Sequence, residues 1–412
     1  MRKVFPKNKR SVPLNKWTIF AVFIPIINAH NRVLIYTALL FYASSVFAQD
    51  SLLKYPSVEV NGYIKSLQIW SFPKHFEKLD GSNLLHHRLN SYFNFSKQIR
   101  AAVSFRNRLL WGEELRQYPN YSKYLRNPNE WMNLSVVWIQ RPDWILHTNT
   151  ERLWLEYRSN RWNMRAGRQR INWGITTTWN PNDLFNTYNF LDVDYEERPG
   201  SDAFVLNYQL NSVSQIETAI DPGKTNQQRI AAVRYNTNYR STDYQLIIGS
   251  YQQRFTAGGG WAGSIGDAGF KGEVQYFMKS KTESQQWNLS MEVDYALEKG
   301  WYLQAGWLWN STGQRKNFND SFPVSQSLSP RRLMPTRNNA LLYVMKELNP
   351  RFSIQWGLLY APGSNLLIFF PRIECNLSKN LDVDLVWQSF FAEREEFEAL
   401  NHRGFLRFRW SY

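Results

Sequence analysis

Residues 405–412 read FLRFRWSY, and their order decides the backbone conformation. Leu406, Phe408, Trp410 and Tyr412 fall on one parity, while Phe405, Arg407, Arg409 and Ser411 fall on the other. A repeat of two is the side-chain repeat of an extended strand, because successive side chains leave a pleated backbone on opposite faces. A helix would scatter the same residues around its axis. The segment is therefore a strand with one wholly apolar face and one face carrying guanidinium groups.

Working back from this strand, the same alternation recurs after residue 55 in segments of about ten residues, the length of a transmembrane β-strand. Trp287, Leu289, Met291, Val293 and Tyr295 oppose Asn288, Ser290, Glu292 and Asp294. Phe352, Ile354, Trp356, Leu358 and Tyr360 oppose Ser353, Gln355 and Gly357, and Leu381, Val383, Leu385 and Trp387 oppose Asp382, Asp384 and Gln388. Eighteen such segments lie near residues 57, 84, 99, 150, 162, 201, 213, 228, 242, 256, 269, 286, 300, 336, 350, 366, 381 and 403. The segment near 256 carries Gly258-Gly259-Gly260 and is the weakest; without it, tight turns and long loops cease to alternate, and sixteen strands is the alternative count. The long connections are expected at 112–149, 173–200, 311–335 and 392–402. The expected fold class is all-β, a transmembrane antiparallel β-barrel of about eighteen strands.

Composition agrees with a barrel and argues against other membrane architectures. Apolar residues make up 43% and aromatics 16%, with 18 Trp and 22 Tyr. That is too polar for a bundle of membrane helices, each needing about 20 continuous apolar residues. It is rich in the amphipathic rings that gather at membrane interfaces. The single Cys375 excludes an intrachain disulfide and a cysteine-based metal cluster.

The first 48 residues read as a signal peptide. Arg2, Lys3, Lys7, Lys9, Arg10, Lys16 and Arg32 form a basic leader without acids, an apolar run follows over 34–48, and Val46-Phe47-Ala48 offers a cleavage site. Residues 49–412 are then the barrel. Without the leader, 42 Lys and Arg face 34 Asp and Glu, a net charge of +8 rather than +15. No nucleic-acid partner is expected from that balance. Only residues 49–56 separate the cleavage site from the first strand, so energy-coupled uptake is not expected.

Two resemblances sharpen this reading. The terminal pattern Leu406, Phe408, Trp410, Tyr412 resembles the C-terminal signal of outer-membrane barrels, which implies recognition by the barrel assembly machinery and residence in the outer-membrane lipid of a Gram-negative cell. Residues 167–174, GRQRINWG, and 180–185, NPNDLF, resemble segments of alginate-export and related porin families. By the hairpin count, 167–200 contains the third external loop, and in Gram-negative porins that loop folds into the barrel and sets carboxylates across from an arginine wall. The resemblance implies that Arg165, Arg168 and Arg170 face Asp183, Asp192, Asp194, Glu196 and Glu197. Alternation itself places Arg106, Arg108, Arg152, Arg158, Arg407 and Arg409 on inner strand faces, and Glu217, Glu273, Glu292, Asp294, Asp382 and Asp384 as lumen acids. Arg165 and Arg168 differ in parity, so a bulge near Ala166-Gly167 is expected. Asn180-Pro181 suits the start of a short helix.

The function expected is a channel for passive passage of small or polymeric hydrophilic solutes, anionic or sugar-like, with no cofactor and no metal site. A homo-oligomer is compatible with this. Two other classes compete. One is a non-conducting receptor, adhesin or scaffold, for which loop 112–149 with Tyr118, Tyr121, Tyr124, Trp131 and Trp144 offers a stacking surface. The other is an outer-membrane hydrolase, whose compact candidate, His86 with Asn90 and Ser91, fails because period two sends His86 and Ser91 to opposite faces.

Overall fold

The computed structural model describes residues 55–76, 78–118, 121–123, 125–126, 130–187, 189–194, 199–316 and 328–412. The leader 1–48, Tyr124, Glu196 and Glu197 lie outside the described residues. Twenty strand segments form one antiparallel sheet: β1 (Ser57–Pro73), β2 (Asp80–Asn94), β3 (Ile99–Gly112), β4 (Ser135–Gln140), β5 (Trp144–Arg158), β6 (Trp162–Gln169), β7 (Ser201–Gln209), β8 (Ser214–Asp221), β9 (Ile230–Tyr239) and β10 (Thr242–Tyr251). The series continues with β11 (Arg254–Ile265), β12 (Ala268–Phe277), β13 (Gln286–Leu297), β14 (Trp301–Asn310), β15 (Asn338–Asn349), β16 (Phe352–Ala361), β17 (Leu366–Phe369), β18 (Arg372–Ser378), β19 (Leu381–Glu393) and β20 (Phe397–Ser411).

The sheet closes on itself. β20 pairs back with β1 from Ser411 opposite Tyr63 to Asn401 opposite Pro73, which leaves no free edge along the seam. β17 and β18 share one place between β16 and β19. The break falls at Phe370-Pro371, where proline lacks the N–H that a continuous ladder requires. With β4 set aside, the ring has eighteen positions, and each coincides with one of the segments read from alternation. β11 is a full member, paired with β10 and β12 throughout its glycine run.

The faces sort as the alternation requires. Trp287, Val293, Trp301, Leu342, Trp356, Leu385, Phe408 and Trp410 are exposed on the outside, whereas Gln286, Asn288, Ser290 and Glu292 are buried on the inside. In water this arrangement would be inverted, since exposed apolar surface costs about 25 cal/mol per Å²; a hydrocarbon surround is the medium it suits. At the seam, Tyr412 lies across Gly62 and donates its hydroxyl to the Arg88 carbonyl at 3.2 Å. That hydroxyl is also 2.9 Å from His87 Nε2. A Cβ at Gly62 would sit 2.7 Å from the Tyr412 hydroxyl oxygen, so glycine there gives the terminal ring its path to β2.

Three features differ from expectation. Residues 392–402 are not a long loop: β19 and β20 run on to a tight turn at 394–396, with Glu393 opposite Phe397. The charged run Arg394-Glu395-Glu396 marks only the tip, and Glu398 is held by ion pairs to Lys74 and Arg394. The second departure is β4, inside the loop between β3 and β5, which pairs with β5 alone. β6 accompanies β5 only from Leu153 to Arg158, and β4 covers the stretch of β5 from Ile145 to Asn149 that β6 leaves open. Third, no bulge occurs at Ala166-Gly167: both ladders of β6 pass through without a register shift, and Gly167 takes a φ of 115° instead.

Candidate functional site

One end of the barrel carries tight turns, and the other carries the long connections together with the tight turns at 252–253 and 394–396. From the loop end, the described residues between 170 and 194 turn into the lumen. They begin where β6 stops and are drawn inward by aromatic and aliphatic side chains. Ile171, Trp173, Leu184 and Phe185 pack on inner-face Ala203, Ala219, Ile230, Ala232, Ile247 and Phe277. Trp179, with Phe190 and Leu191, packs on Leu308, Leu341, Leu359, Ile368 and Phe390. Each large side chain buried this way is worth about 1.5–3 kcal/mol.

Polar contacts fix the loop's register on this wall. Glu273 of β12, fully buried, accepts hydrogen bonds from the backbone N–H groups of Ile175, Thr176 (2.7 Å) and Asn182 (2.9 Å), from Thr176 Oγ1 (3.1 Å) and from Asn180 Nδ2 (3.3 Å). Glu292 of β13 accepts from the N–H groups of Thr177 and Thr178 at 2.9 and 3.3 Å. These two residues, expected as lumen charges, are loop anchors. Residues 180–182 form a turn rather than a helix, closed by Asp183 N–H to the Asn180 carbonyl at 3.2 Å. The glycines of β11 make the approach possible: a Cβ at Gly260 would lie 2.9 Å from Ile175 Cδ1, and Asn182 Nδ2 donates to the Gly259 carbonyl at 2.7 Å.

The far end of the loop reaches the opposite wall. Gln388 of β19 donates to the Leu191 carbonyl at 2.8 Å. Asp194 meets Lys65 Nζ of β1 at 2.6 Å, Arg106 of β3 at 2.7 Å and His86 Nδ1 of β2 at 3.3 Å. Sheet register builds the surface it docks on. Arg409, Lys65, His86, Arg108 and His147 are direct cross-strand neighbours on β20, β1, β2, β3 and β5. The adjacent rung is Tyr63, Arg88, Arg106 and Asn149. Alternation shows Arg106 and Arg108 as inner residues; it does not single out Lys65, and it offers His86 only as a hydrolase candidate. The signal that finds them is lateral, the register across hairpins, rather than spacing along one strand.

Most of the remaining arginines are occupied by the wall or by the loop between β3 and β5. Arg165 pairs with Glu156 and stacks over Trp154 at 4.6 Å, and Arg158 reaches Glu156 at 2.9 Å. Arg168 is 1% exposed, bidentate to Asp202 at 2.7 and 2.9 Å, with Glu130 at 3.1 Å. Arg170 is exposed just beyond β6. Asp183 is buried, and its Oδ1 accepts the Trp173 N–H at 3.3 Å. The implied facing of Arg165 and Arg168 toward Asp183 and Asp192 is therefore replaced by local pairing, because nearer carboxylates on β5, β7 and the second loop neutralise those guanidinium groups first. Arg108 donates to the Leu125 carbonyl at 2.6 Å, Arg152 to the Glu151 carbonyl at 2.7 Å, and Arg407 pairs with Asp384 at 2.5 Å. Arg409 lies over the Tyr63 ring at 4.8 Å.

Burial alone would raise the Asp194 carboxyl, but Lys65, His86 and Arg106 outweigh it and hold the group well below its ordinary range. Asp192, whose Oδ1 accepts the Asp194 N–H at 2.9 Å, is pushed up by burial and by the Asp194 charge. A depressed carboxyl contributes to docking above its free value and loses that contribution only as pH falls through the docked value. Protonation of Asp192 on the way down relieves repulsion and adds to docking. Docking of residues 189–194, read as hydrogen-exchange protection corrected for intrinsic rates, should therefore not weaken between pH 7 and about 4 and should be lost only below the ordinary carboxylate range.

The hydrolase arrangement is not formed at His86, whose Nδ1 faces Asp194. His402 Nδ1 does lie 2.8 Å from Ser389 Oγ, which also accepts the Trp387 Nε1–H at 2.8 Å. Phe76 stacks on that imidazole at 4.4 Å, and no acidic side chain among the described residues bonds it.

No family model matches the chain, and no curated protein matches it. Solved structures do. OccAB4 of Acinetobacter baumannii is 8% identical, with a TM-score of 0.56, covering 87% of this chain and 99% of that one. OccK11 (OpdR) of Pseudomonas aeruginosa is 9% identical, with a TM-score of 0.54, covering 89% of this chain and 100% of that one. The outer membrane protein OprD from Pseudomonas aeruginosa is 8% identical, with a TM-score of 0.55 and coverages of 87% and 94%. At these identities the likeness is one of fold: the chain has the closed eighteen-strand barrel of these Gram-negative outer-membrane proteins.

Proposed function

We propose that this protein is an outer-membrane channel through which small hydrophilic solutes pass passively, with a preference for anionic or sugar-like ones. The observation that carries the reading is the pair of opposed faces on a closed ring, apolar and aromatic outside, polar and charged inside. Such a wall encloses water only when it spans a membrane. The lateral rungs of Lys65, Arg88, Arg106, Arg108 and Arg409 favour anions, because a cationic wall in a low-dielectric surround raises the local anion concentration. Within the same proposal, residues 1–48 are the export signal and 49–412 the mature barrel. Leu406, Phe408, Trp410 and Tyr412 are the strand read by the assembly machinery, and outer-membrane lipid is the surround, with self-association compatible. The resemblance to alginate-export porins supports polymeric or sugar-like cargo as the narrower form.

The test is conductance of refolded 49–412 in a planar bilayer under a KCl gradient. Stepwise openings with a reversal potential on the anion side are expected, and the double variant Arg108→Gln, Arg409→Gln should move that potential toward zero. The apolar packing of the third loop across the lumen favours one other reading, a barrel serving as receptor, adhesin or scaffold. A protein that is folded by heat-modifiable gel mobility yet silent under all salts would establish that reading in place of the channel.

A further inference from the structure

Two tryptophans bracket the outward face of β14. Trp301 stands at the turn end, with Lys346 Nζ 5.2 Å from its ring, and Trp309 stands toward the loop end, about 27 Å further along an extended strand. Leu303, Ala305 and Trp307 share this face, while Leu308 and Asn310 are buried on the other. Indole rings at such a separation mark the two membrane–water boundaries of a barrel. Trp309 therefore lies at the level of the lipid headgroups on the loop side.

A cavity of about 370 Å³ opens beside it, lined by Trp309, Arg315, Arg337, Asn338, Pro362 and Gly363. Three chain segments build this cavity. Asn338 is the cross-strand partner of Trp309. Arg337 comes just before it, its carbonyl accepting the Asn310 N–H at 2.7 Å and its own N–H donating to the Gln314 carbonyl at 3.0 Å. The Gln314 N–H donates to the Pro335 carbonyl at 2.9 Å, and Ser364 Oγ donates to the Gln314 carbonyl at 3.4 Å. Arg315 is thus presented by backbone tied to both neighbouring segments. Gly363, at a φ of 83°, passes so close that a Cβ there would lie 3.3 Å from the Arg315 carbonyl oxygen.

The lining carries two guanidinium groups and no carboxylate. Arg337 places Nη2 on the Ser311 carbonyl, while its Nε is buried without a hydrogen-bond partner among the described residues. Arg315 is exposed, and neither arginine has an ion-pair partner among the described residues. Buried donors are met in native proteins by an acceptor, and here the acceptor must reach them from the lipid boundary.

We propose that this cavity binds the phosphate of an outer-leaflet lipid, a phosphomonoester whose acyl chains run down the outward face of β14 and β15 past Trp307 and Leu342. Guanidinium forks match the spacing of phosphate oxygens, and two of them balance a dianion. Free phosphate satisfies the same donors but gains nothing from the apolar face below them, so the lipid is the ligand. The inference uses the outer-membrane setting and not the channel reading, and it holds whether or not the barrel conducts.

The experiment titrates refolded 49–412 in a neutral detergent with dimyristoylphosphatidic acid, and native mass spectrometry counts the lipids bound. Dimyristoylglycerol and inorganic phosphate serve as the two halves of the ligand. One phosphatidic acid should bind per barrel at saturation. Its affinity should fall about tenfold in Arg315→Gln and in Arg337→Gln, the factor that one lost charge-assisted hydrogen bond represents. Lys346→Gln, which removes a cation at the other boundary, should bind as wild type does, and excess inorganic phosphate should leave the lipid in place. Displacement by inorganic phosphate would make this a free-anion site and overturn the lipid assignment. Equal binding of dimyristoylglycerol, unchanged affinity in both arginine variants, or an equal loss in Lys346→Gln would overturn the cavity itself. Folding is checked by heat-modifiable gel mobility. Should Arg337→Gln not fold, Arg315→Gln, which removes an exposed side chain, carries the test alone.

Discussion

Glu273→Ala should free residues 175–182 from the barrel wall and raise single-channel conductance several-fold while leaving the barrel folded. The carboxylate accepts from three backbone amides, a hydroxyl and a side-chain amide in a site with no exposure. Hydrogen bonds to a charged group are worth about 1.5–3 kcal/mol each, and stranding buried donors costs about 1–3 kcal/mol apiece. Their sum exceeds what the loop's backbone can lose without moving, so the amides will turn to water instead. Since Glu273 lies mid-strand and its ladder bonds are made by backbone, the ring itself is spared. Glu273→Gln, which keeps one carbonyl oxygen as acceptor, should fall between the two. A conductance for Glu273→Ala equal to wild type would show that Glu292, the Asn182–Gly259 bond and the apolar contacts hold the loop without Glu273.

Arg168→Ala should be the most destabilising single change near the loop, by about 3–5 kcal/mol, the cost of leaving buried partners of an ion pair uncompensated. Asp202 is 3% and Glu130 1% exposed and both lose their counter-charge, and the Thr150 and Met132 carbonyls lose a donor at 3.0 and 2.5 Å. Arg168→Lys restores charge but cannot reproduce the bidentate contact with Asp202, so it should recover only part. Urea unfolding of the refolded barrel, followed by tryptophan fluorescence, gives the measurement. Arg165→Ala serves as contrast, since its partner Glu156 keeps Arg158 and the loss should be far smaller.

The ring of strands was legible because its cause is local: a membrane outside and water inside impose the two-residue repeat on each strand separately. Even β11 could be placed through its glycines, by the alternation of tight turns and long loops. Those glycines read as weakness in sequence and turn out to be clearance for Ile175 and Asn182. β4 was invisible for the opposite reason. SVVWIQ is too short to show a repeat, and it exists to cover an edge that β6 abandons, a relation between segments some thirty residues apart. At the site, alternation identified inner arginines but not their partners. Whether a guanidinium meets the loop or a nearby acid depends on register across hairpins, which neither the spacing along one strand nor the porin resemblance carries, so Arg165 and Arg168 take local acids and Lys65 takes Asp194.

The cover that β4 gives β5 makes the second and third loops a matched set. The chain that leaves the wall after Gln169 to cross the lumen is missing from the wall above it, and the preceding loop supplies the replacement. Length changes in these two loops are consequently not independent. A lineage that shortened residues 113–143 would uncover the rim of β5 unless β6 grew to meet it, and growth of β6 would withdraw chain from the lumen. For anyone grafting an epitope onto the loop end, residues 113–143 are thus a poor host, and the turn at 394–396, whose Arg394 pairs within its own hairpin among the described residues, is the site where foreign sequence leaves the wall intact.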